Sequence, residues 1–437
     1  MTSARVLVVG SGGREHALAA RLALDAGAPN VLLAPGNEGA GREFRRLDLG
    51  ESDGRALIEA ARREKVTLVV IGPEAPLARG VADDLSAAGI SVFGASRAAA
   101  RLESSKWFAK EILAEARVPS ARAERLERPV DALDALRRFD PPWVLKADGL
   151  ASGKGVCVTS DRAAAERFLR ACFEEHRFGA GGETVVIEEF LRGDEVSWMV
   201  VTDGVDHVAL PAARDYKRAG DQDRGSNTGG MGAFAPVELD PSLAREIDER
   251  IVAPVLSAMR GRGAPFRGLL YVGLMLTAAG PRVLEFNARF GDPETQVVLP
   301  LLGGSLIDLL SSAARGSIDR HAITKESGAA VAVALVDEGY PDAVRGGGRI
   351  EGLDRLAAEG VHVIHAATAW REGAWTVAGG RAAYVVARAE DRERARERAY
   401  RAITGLSGSG WRCRHDIAGA TGIEPGIGAP RSAAGCA

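Results

Sequence analysis

The first hundred residues alternate short apolar runs with segments of helical composition. The apolar runs at 5–9, 31–34, 68–71 and 90–93 have the length and residue types of buried strands, and helical segments separate them. Parallel strands cannot be joined by tight turns, so strands and helices at this spacing build a parallel sheet with helices on both faces. We therefore predict an open parallel α/β domain at the N-terminus.

Glycine-containing loops follow the first three of these strands. The loop at 10–16 is a strand-to-helix junction, where backbone N–H groups and the helix dipole favour an anion. It is not a dinucleotide-binding fingerprint, because Glu15 stands where the third glycine of that motif is required. The loops should meet at the carboxyl edge of the sheet, where open α/β sheets bind ligands, although tight turns without a ligand are the alternative. The candidate binding residues are Gly12, Gly13, Arg14, Glu15, Asn37, Pro73 and Glu74.

Lysine is scarce in this chain, because only seven of its 56 basic residues are lysines. An arginine fork cannot replace a compact ammonium group, so the retained lysines are candidates for sites that need a point charge. Two of them lie in the segment KADGLASGKG at 146–155, which is not a Walker A loop because Asp148 and Gly155 break that pattern. A strand that ends in lysine and continues into a glycine turn can fold over phosphates, although an ordinary hairpin is the alternative. The candidate phosphate-binding residues are Lys146, Ser152, Gly153, Lys154 and Gly155.

The segment EFNARFGDPETQ at 285–296 carries the clearest chemical pattern. Side chains two residues apart share one face of a strand, which places Glu285, Asn287 and Arg289 together. A carboxylate and an amide oxygen suit a hard cation such as Mg²⁺, which keeps waters and substrate phosphates as its other ligands. Arg289 adds a fork for an oxyanion or a carboxylate. A polar strand face closed by a salt bridge is the alternative.

Two further segments have the composition of binding elements. The segment at 188–191 lies between two predicted strands and can offer backbone groups to an adenine edge, with a carboxylate at 195 for ribose hydroxyls. The polar, glycine-rich segment at 214–232 can supply a mobile loop that closes over substrate and excludes water. Ordinary strand ends and a surface loop are the alternatives. The residues singled out are Glu188, Glu189, Phe190, Leu191, Glu195, Asp215, Lys217, Gly229, Gly230, Met231 and Gly232.

Beyond residue 104 strands and helices mix less regularly, as in α+β folds. A continuous helix is predicted at 243–259, and the C-terminal block should hold strands at 329–336, 361–365 and 382–388 before a helix at 391–403. A length of 437 residues favours two to four domains. The apolar fraction of 46% excludes wholesale disorder.

Charge and hydropathy limit the classes of partner. A net charge of -3 argues against a broad nucleic-acid surface. The longest apolar stretch, at 269–279, is too short to span a membrane, and four scattered cysteines do not form a disulfide framework. We therefore expect a cytoplasmic protein that acts on small molecules without nucleic acid or membrane.

Taken in this order, the segments resemble the phosphoribosylamine–glycine ligases (glycinamide ribonucleotide synthetases), a family of ATP-grasp enzymes. The resemblance extends from residue 5 to about 417. The motifs that carry it are specific for the family together, but no single one is. It rests on GGREHALA (12–19), PGNEG (35–39), GPEAPL (72–77), LESSK (102–106), KADGLASGKGV (146–156), EEFL (188–191), DYKR (215–218), NTGGMGA (227–233), EFNARFGDPETQ (285–296) and GYP (339–341).

The resemblance implies a multidomain protein of α/β and α+β class. Residues 1–103 would form the open parallel α/β domain and 104–325 the ATP-grasp lobes, with a small nucleotide lobe at about 123–192. A small β-rich C-terminal domain would follow at 326–420, and then a flexible tail at 421–437. The implied reaction, a step of purine (IMP) biosynthesis, joins glycine to 5-phosphoribosylamine. It converts ATP to ADP and phosphate through glycyl phosphate.

The resemblance also implies roles for individual residues. Lys106, Lys146 and Lys154 would hold the phosphates of ATP, and Glu285 with Asn287 would hold Mg²⁺ or Mn²⁺. The loops at the carboxyl edge of the N-terminal sheet would take the sugar phosphate.

The acid and the amine would be oriented by a second set of residues, namely Arg289, Asp292 and Asp215. Arg214, Tyr216 and Ser226 depart from the usual residues of the family's substrate loop. The strand at 269–276 has no carboxylate, whereas many ATP-grasp enzymes place a metal ligand there, so the nucleotide itself would complete the metal site.

The resemblance leaves two alternatives to this function. One is an ATP-grasp ligase with a different acid or amine, and the other is an ATP-binding regulatory protein without activity. We expect a monomer, with at most a weak contact to the preceding enzyme of the pathway for transfer of its product.

Overall fold

The computed structural model describes residues 4–150 and 155–419. Its N-terminal sheet has five strands in the order β3-β2-β1-β4-β5, and every neighbouring pair is parallel. The N-terminal elements are β1 (Val6–Gly10), α1 (Gly13–Ala26), β2 (Val31–Pro35), β3 (Arg45–Arg46), α2 (Gly54–Arg63), β4 (Leu68–Ile71), α3 (Glu74–Arg79), α4 (Val81–Ala87), β5 (Val92–Phe93) and α5 (Arg97–Ser104).

The central strands β1, β2 and β4 are almost entirely apolar and buried. Continuous apolar strands are typical of a parallel sheet covered on both faces, and this confirms the predicted N-terminal α/β architecture. The strands β1, β2 and β4 end next to one another, so the three predicted loops lie along one edge of the sheet.

The next segment forms a four-stranded antiparallel sheet in the order β6-β9-β7-β8. Two helices pack on this sheet and give it a hydrophobic core separate from the main one. We call this unit the small lobe. Its elements, after the preceding helix α6 (Lys106–Glu115), are β6 (Ala123–Leu126), α7 (Pro129–Arg138), β7 (Trp143–Ala147), β8 (Val156–Thr159), α8 (Arg162–Phe173) and β9 (Val185–Glu188).

The chain then builds a second antiparallel sheet in the order β11-β10-β16-β17. The elements of this region are β10 (Asp194–Thr202), β11 (His207–Ala209), β12 (Arg214–Asp215), β13 (Arg218–Gly220), β14 (Arg224–Asn227), β15 (Gly232–Ala235), α9 (Pro241–Ile247), α10 (Ala253–Gly261), β16 (Gly268–Thr277), β17 (Gly280–Asn287), α11 (Glu294–Val298), β18 (Leu302–Gly304), α12 (Leu306–Ala314) and β19 (Ile323–Lys325).

Two sequence-based expectations fail in this region. The continuous helix predicted at 243–259 is two helices, α9 and α10, joined by a wider π-helical turn at Asp248–Val252. The segment at 214–232, expected as a mobile loop, contains the paired strands β13 and β14. Polar and glycine-rich composition concealed these strands, because Ala219 is the only apolar residue in the two strands and no alternating apolar pattern forms.

The C-terminal block continues a sheet that begins in the preceding region. Strands β12 and β15 extend its main sheet, whose order is β12-β15-β20-β25-β22, with β27 also paired to β20. A smaller sheet has the order β23-β24-β21-β26. The elements are β20 (Ala329–Asp337), β21 (Arg349–Glu351), β22 (Val361–His365), β23 (Thr368–Arg371), β24 (Ala374–Val377), β25 (Arg381–Ala389), α13 (Arg392–Thr404), β26 (Ser407–Ser409) and β27 (Trp411–Arg412).

Across the described ranges 4–150 and 155–419, helix length and hydropathy fall short of what a membrane crossing requires.

Candidate active site

A cavity of about 450 Å³ is enclosed by the N-terminal domain, the small lobe, the second antiparallel sheet and the C-terminal block. It lies where several of the predicted segments converge. The predicted site residues that line it are Arg14, Glu74, Lys106, Lys146, Gly155, Glu188, Asp215, Lys217, Gly229, Glu285, Asn287, Arg289 and Asp292.

Other predicted residues within the described ranges are not part of the cavity lining. These are Gly12, Gly13, Glu15, Asn37, Pro73, Glu189, Phe190, Leu191, Glu195, Gly230, Met231 and Gly232. Ser152, Gly153 and Lys154 lie outside the described residues, as does the tail predicted at 421–437.

A buried carboxylate in the small lobe holds two lysines at one side of the cavity. Glu188 ends β9, and its Oε2 lies 3.0 Å from Lys146 Nζ while its Oε1 lies 3.3 Å from Lys110 Nζ. Lys146 Nζ also donates to Leu284 O at 3.0 Å. The side chain of Glu188 is therefore committed to the lysines and is not free to meet a nucleotide base.

A third lysine reaches the cavity from the first turn of α6. Ser105 caps this helix by accepting from the Phe108 N–H at 3.1 Å, and Asp148 accepts from the Lys106 N–H at 2.5 Å. Lys106 Nζ donates to Gly149 O at 2.8 Å. Burial lowers the pKa of Lys106, and the neighbouring Lys146 cation lowers it further. Bound phosphates would stabilise the charged form of closely spaced, buried ammonium groups of this kind, so this part of the cavity suits a phosphate ligand.

The predicted metal pair lies on β17, the strand whose Leu284 O accepts from Lys146 Nζ. Glu285 is exposed to the cavity, Asn287 is half-buried, and the intervening Phe286 is buried. Both backbones pair with β16, but among the described residues neither the Glu285 nor the Asn287 side chain has a hydrogen-bond or ion-pair partner. Glu285 lies opposite Gly273 of β16, and a Cβ atom at Gly273 would come within 3.0 Å of Glu285 Cγ.

Two unpartnered side-chain oxygens beside Lys106 and Lys146 fit a hard divalent ion. The described part of the chain contains no group of three or more His, Cys, Asp or Glu side chains able to hold a metal. Protein side chains alone would therefore give too few ligands, and substrate phosphates and waters would supply the rest, as Mg²⁺ prefers.

Arg289 lies in the cavity wall, but its guanidinium group already has two carboxylate partners. Arg289 Nε is 3.2 Å from Glu74 Oε2, and Nη2 is 3.0 Å from Glu103 Oε1. Burial alone would lower the pKa of Arg289, but Glu103 and Glu74 outweigh burial and raise it. The predicted fork for a substrate oxyanion is thus partly occupied. Because β17 ends at Asn287, Arg289 lies beyond the strand, and its guanidinium group contacts Glu74 and Glu103 of the N-terminal domain.

A second charged cluster surrounds Lys217, whose Nζ lies 3.1 Å from Asp215 Oδ1 and 3.0 Å from Glu195 Oε2. Burial raises the pKa of Asp215 to about 7 against the opposing charge of Lys217, and Glu294 and Glu195 raise it further. Lys217 instead lowers the pKa of Glu195. Asp215 is therefore harder to ionise than an exposed carboxyl group.

Glu294 and Tyr271 extend this cluster. Glu294 is buried, and its Oε1 accepts from Tyr271 Oη at 2.9 Å and from Ser197 Oγ at 3.1 Å. Burial raises the pKa of Tyr271, and the Glu294 carboxylate adds to that effect. The wall around Asp215 thus presents carboxylates and a neutral phenol, a setting that favours an amine or ammonium ligand.

The loops at the edge of the N-terminal sheet are less open than expected. Glu15 Oε2 accepts from the Gly12 N–H at 2.6 Å, so the protein's own carboxylate takes up part of the helix N-terminus. Asn37 donates to His365 O at 2.9 Å and accepts from the Ala40 N–H, so its amide ties the C-terminal block to the N-terminal domain. From these loops, Arg14 and Glu74 reach the cavity.

Several cavity residues had no assigned role in the sequence-based prediction. Lys110 lies one helical turn beyond Lys106, and Glu294 lies within the segment at 285–296, so local spacing was an available signal. Tyr340 and Arg381 come from the C-terminal block, far along the chain, and only the fold brings them to the cavity.

Three family profiles match almost all of the chain. They are described as "Phosphoribosylglycinamide synthetase, N domain" over residues 4–103, "ATP-grasp (A) domain" over 104–295 and "C domain" over 330–420. The chain belongs to the phosphoribosylglycinamide synthetase family. The resemblance inferred from the motifs is confirmed, and the protein is an ATP-dependent ligase by family.

Relatives match this family member over its whole length. The phosphoribosylamine–glycine ligase of Streptomyces coelicolor is 46% identical over 419 residues, which cover 95% of this chain and 98% of that protein. The enzyme of the same name from Mycobacterium leprae is 46% identical, with 94% and 97% covered. The trifunctional purine biosynthetic protein adenosine-3 of Gallus gallus is 42% identical, and the match covers 94% of this chain but 42% of that protein.

Solved structures confirm the fold of this family member. A crystal structure of phosphoribosylamine–glycine ligase from Thermotoga maritima has a TM-score of 0.81 at 33% identity, and the match covers 94% of this chain and 99% of that one. The biotin carboxylase domain of 2-oxoglutarate carboxylase from Hydrogenobacter thermophilus has a TM-score of 0.70 at 16% identity, covering 94% and 92%, which shows a shared fold. The predicted class, a multidomain α/β and α+β protein, is confirmed.

Proposed function

We propose that the protein joins the carboxyl group of glycine to the amine of 5-phosphoribosylamine, giving glycinamide ribonucleotide while ATP becomes ADP and phosphate. One observation carries this proposal: a single cavity holds phosphate-type cations and free oxygen ligands on one side and buried carboxylates with arginines on the other. Its relatives of the same length are phosphoribosylamine–glycine ligases, which supports the same step of purine biosynthesis for this chain.

We assign the nucleotide to the side of the cavity next to the small lobe. Lys106 and Lys146 would hold phosphates, together with Gly155 and with Ser152, Gly153 and Lys154, which lie outside the described residues. The apolar lining from Leu113 and Leu284 would contact the base. β9 ends at Glu188, so the backbone at 189–191 would pair with the adenine edge through groups other than the Glu189 N–H, which donates to Arg122 O at 3.0 Å. Glu195 would accept from ribose hydroxyls.

Glu285 and Asn287 would hold Mg²⁺ or Mn²⁺ through their side-chain oxygens. When bound, the ion would neutralise charge on the phosphates of ATP. The ion would rely on the nucleotide for its remaining ligands, which agrees with the small number of protein carboxylates at this position.

The chemistry assigned to the chain itself is positioning and charge neutralisation. A glycine carboxylate oxygen attacks the γ-phosphorus as ADP leaves, which forms glycyl phosphate. The sugar amine then attacks the acyl carbon, and inorganic phosphate leaves with the oxygen that came from glycine. Lysines 106 and 146 would stabilise charge on the transferred phosphoryl group, and exclusion of water would protect the acyl phosphate.

The two substrates would meet at the charged wall formed by Asp215, Asp292 and Arg289. Ionised Asp215 would accept a hydrogen bond from an amine, with Asp292 and Arg289 orienting the substrates beside it. Arg14 and the first turn of α1 would face the sugar phosphate, because a guanidinium group and a helix N-terminus both favour that anion.

An assay of ADP release tests this proposal. We expect ADP and glycinamide ribonucleotide in equal amounts only when ATP, glycine and 5-phosphoribosylamine are all present. Turnover with a different amino acid or amine in a substrate panel would identify another carboxylate–amine ligase. Binding of ATP with no ADP formed in any combination would leave only the regulatory alternative.

A further inference from the structure

We infer that Arg381, the first residue of β25, is a positioning residue for the substrate end of the cavity. Arg381 Nη2 lies 2.9 Å from Asp292 Oδ2, and its Nη1 donates to Asp292 O at 2.9 Å. The same Nη1 donates to Gly229 O at 2.5 Å and lies 3.3 Å from Gly230 O. One guanidinium group therefore fixes a carboxylate and a glycine loop together. The inference rests on the proposed function.

The carboxylate that Arg381 holds is enclosed by other donors. Asp292 Oδ1 accepts from Tyr384 Oη at 2.9 Å and from Gln296 Nε2 at 2.7 Å. Burial alone would raise the pKa of Asp292, but Arg381 and Arg14 outweigh it, and the pKa is lowered. Asp292 is thus held ionised in one orientation, and Arg381 is the residue that links it to the loop.

The glycine loop is anchored from both sides. The Gly229 N–H donates to Tyr340 Oη at 3.0 Å, and the Gly230 N–H donates to Thr228 Oγ1 at 3.0 Å. Gly230 has a φ of 114°, and a Cβ atom there would lie 2.4 Å from Pro293 Cδ. The loop therefore packs directly on the residue after Asp292, and a shift of one displaces the other.

The sheet explains why a C-terminal residue can set this geometry. Strand β15, which follows the glycine loop, pairs with β20 through Gly232 and Val333, and β20 pairs with β25. Strand β12 carries Asp215 and pairs with the other side of β15. Asp215, the loop and Arg381 thus belong to one continuous sheet, and the C-terminal block forms part of the substrate wall.

The contacts of Arg381 predict a selective effect on substrates. Its hydrogen bonds go to Asp292 and the glycine loop, whereas the lysines on the nucleotide side are held by Glu188, Gly149 and Leu284. Loss of Arg381 should therefore lower kcat/KM for glycine and for the amine and leave the Kd of ATP unchanged. Lysine cannot replace the fork, because one ammonium group cannot reach the carboxylate and both carbonyls in this planar arrangement.

The test compares Arg381→Met and Arg381→Lys with Arg388→Met as the matched control. Arg388 lies on the same strand and pairs at the surface with Glu326 at 2.7 Å, away from the cavity. We would measure kcat and KM for glycine and for 5-phosphoribosylamine, and the Kd of ATP by calorimetry, with the folded fraction of each variant checked by thermal unfolding.

For Arg381→Met we expect kcat/KM for glycine to fall about 100-fold, since displacement of positioned groups by about 1 Å costs that much. The Kd of ATP should stay within about twofold of wild type, as should all constants of Arg388→Met. For Arg381→Lys we expect kcat/KM for glycine to fall about tenfold. If Arg381→Met does not fold, the Lys variant is compared with the wild type and Arg388→Met in the same way.

Wild-type kinetics per folded molecule in the Arg381 variants would overturn the inference, because Arg381 would then only join domains. An equal loss in ATP affinity and glycine use would also overturn it. No product from the wild-type enzyme would instead overturn the proposed function, and with it this inference, so the two failures are distinguishable.

Discussion

At the residue scale, the placement of lysine is the most informative feature of the site. Of the lysines in the described part of the chain, Lys106, Lys110, Lys146 and Lys217 line the cavity. Three of these belong to segments predicted from the sequence. Lys110 was assigned to no segment, and the structure places it against Glu188. In a chain that otherwise uses arginine, the compact ammonium group is concentrated where phosphates are expected to bind.

Removal of the Glu285 charge tests the metal assignment. We expect Glu285→Gln to lower kcat at millimolar Mg²⁺ by about 100-fold, because the neutral amide binds a hard cation poorly. Thermal unfolding should be unchanged, since Glu285 has no ion-pair partner among the described residues. ADP release measured across a Mg²⁺ series checks this.

The matched control for that variant is Glu238→Gln, an exposed glutamate away from the cavity. It should keep wild-type turnover. Full activity of Glu285→Gln at ordinary Mg²⁺ would show that Glu285 does not hold the ion.

The titration of Asp215 gives a pH prediction for activity. Burial raises the pKa of Asp215 to about 7, so kcat/KM for glycine should rise between about pH 6 and 8 if the ionised form binds the amine. Asp215→Asn should lower the activity and remove this rise, whereas the exposed control Asp308→Asn should keep it. A rise that persists in Asp215→Asn would assign the titration to another group.

Stability should follow the opposite trend at the same residue. A carboxyl whose pKa is raised on folding stabilises the native state below the ordinary carboxyl pKa, and this stabilisation is lost as pH rises through about 7. Relative to Asp215→Asn, the wild type should therefore lose stability as the pH rises from about 4 to 8. Urea unfolding at several pH values measures this difference, and parallel curves for the two proteins would contradict it.

At the element scale, sequence and structure agree best for the buried strands of the N-terminal sheet. The apolar runs of β1, β2 and β4 predicted the parallel sheet, because strands buried on both faces have an unmistakable composition. The polar strands β13 and β14 escaped prediction, since neither face carries an apolar pattern. The split between α9 and α10 also escaped, because hydrophobic spacing continues through the π-helical turn.

The same limit applies to the site. Residues within one motif could be found by spacing, as with Glu285 and Asn287. Partners that close a contact across the fold could not, as with Glu103 beside Arg289 and Arg381 beside Asp292. Sequence reasoning therefore located the site and the chemical type of its residues, but it did not show which side chains are already paired.

The end of β9 offers a test of the buried cluster that holds the lysines. Glu188→Gln leaves two buried ammonium groups without their carboxylate, so we expect a loss of about 3 kcal/mol in the free energy of unfolding. The KM for ATP should rise about tenfold, because Lys146 loses its orienting partner. Urea unfolding and initial rates measure both effects.

The adjacent Glu189→Gln is the control for this change. Glu189 pairs with Arg282 at 2.9 Å in a half-exposed position, so its loss should cost less than about 1 kcal/mol. Equal effects of the two variants would contradict a special role for the buried carboxylate.

At the scale of the whole molecule, the N-terminal domain and the C-terminal block meet through a pair of histidines. The His365 backbone N–H donates to His16 Nδ1 at 2.9 Å, and the two rings stack with centroids 5.9 Å apart. Trp375 also packs against His365, with ring centroids 4.3 Å apart. This contact encloses His365 and holds the C-terminal block against the N-terminal domain near the substrate edge.

Acid should loosen this contact. Burial lowers the pKa of His365 to about 4, with His16 adding to the effect. A histidine whose pKa is depressed on folding stabilises the native state above its ordinary pKa, and this is lost as pH falls from about 6.5 through 4. The loss amounts to about 3 kcal/mol, so unfolding temperatures should fall over this range in the wild type and less steeply in His365→Gln.

The exposed His321→Gln is the control for that measurement and should follow the wild-type curve. If His365→Gln also follows the wild-type curve, then another group is responsible for the acid sensitivity of the protein.

We propose that the whole cavity serves one reaction, in which glycine is activated by phosphoryl transfer before the amine attacks. The most direct measurement uses glycine labelled with ¹⁸O in both carboxyl oxygens, together with ATP and 5-phosphoribosylamine. Our account predicts one ¹⁸O atom in each inorganic phosphate released, because phosphate leaves with the oxygen that glycine supplied. Unlabelled phosphate released during turnover would show that ATP is cleaved without formation of glycyl phosphate and would contradict the account.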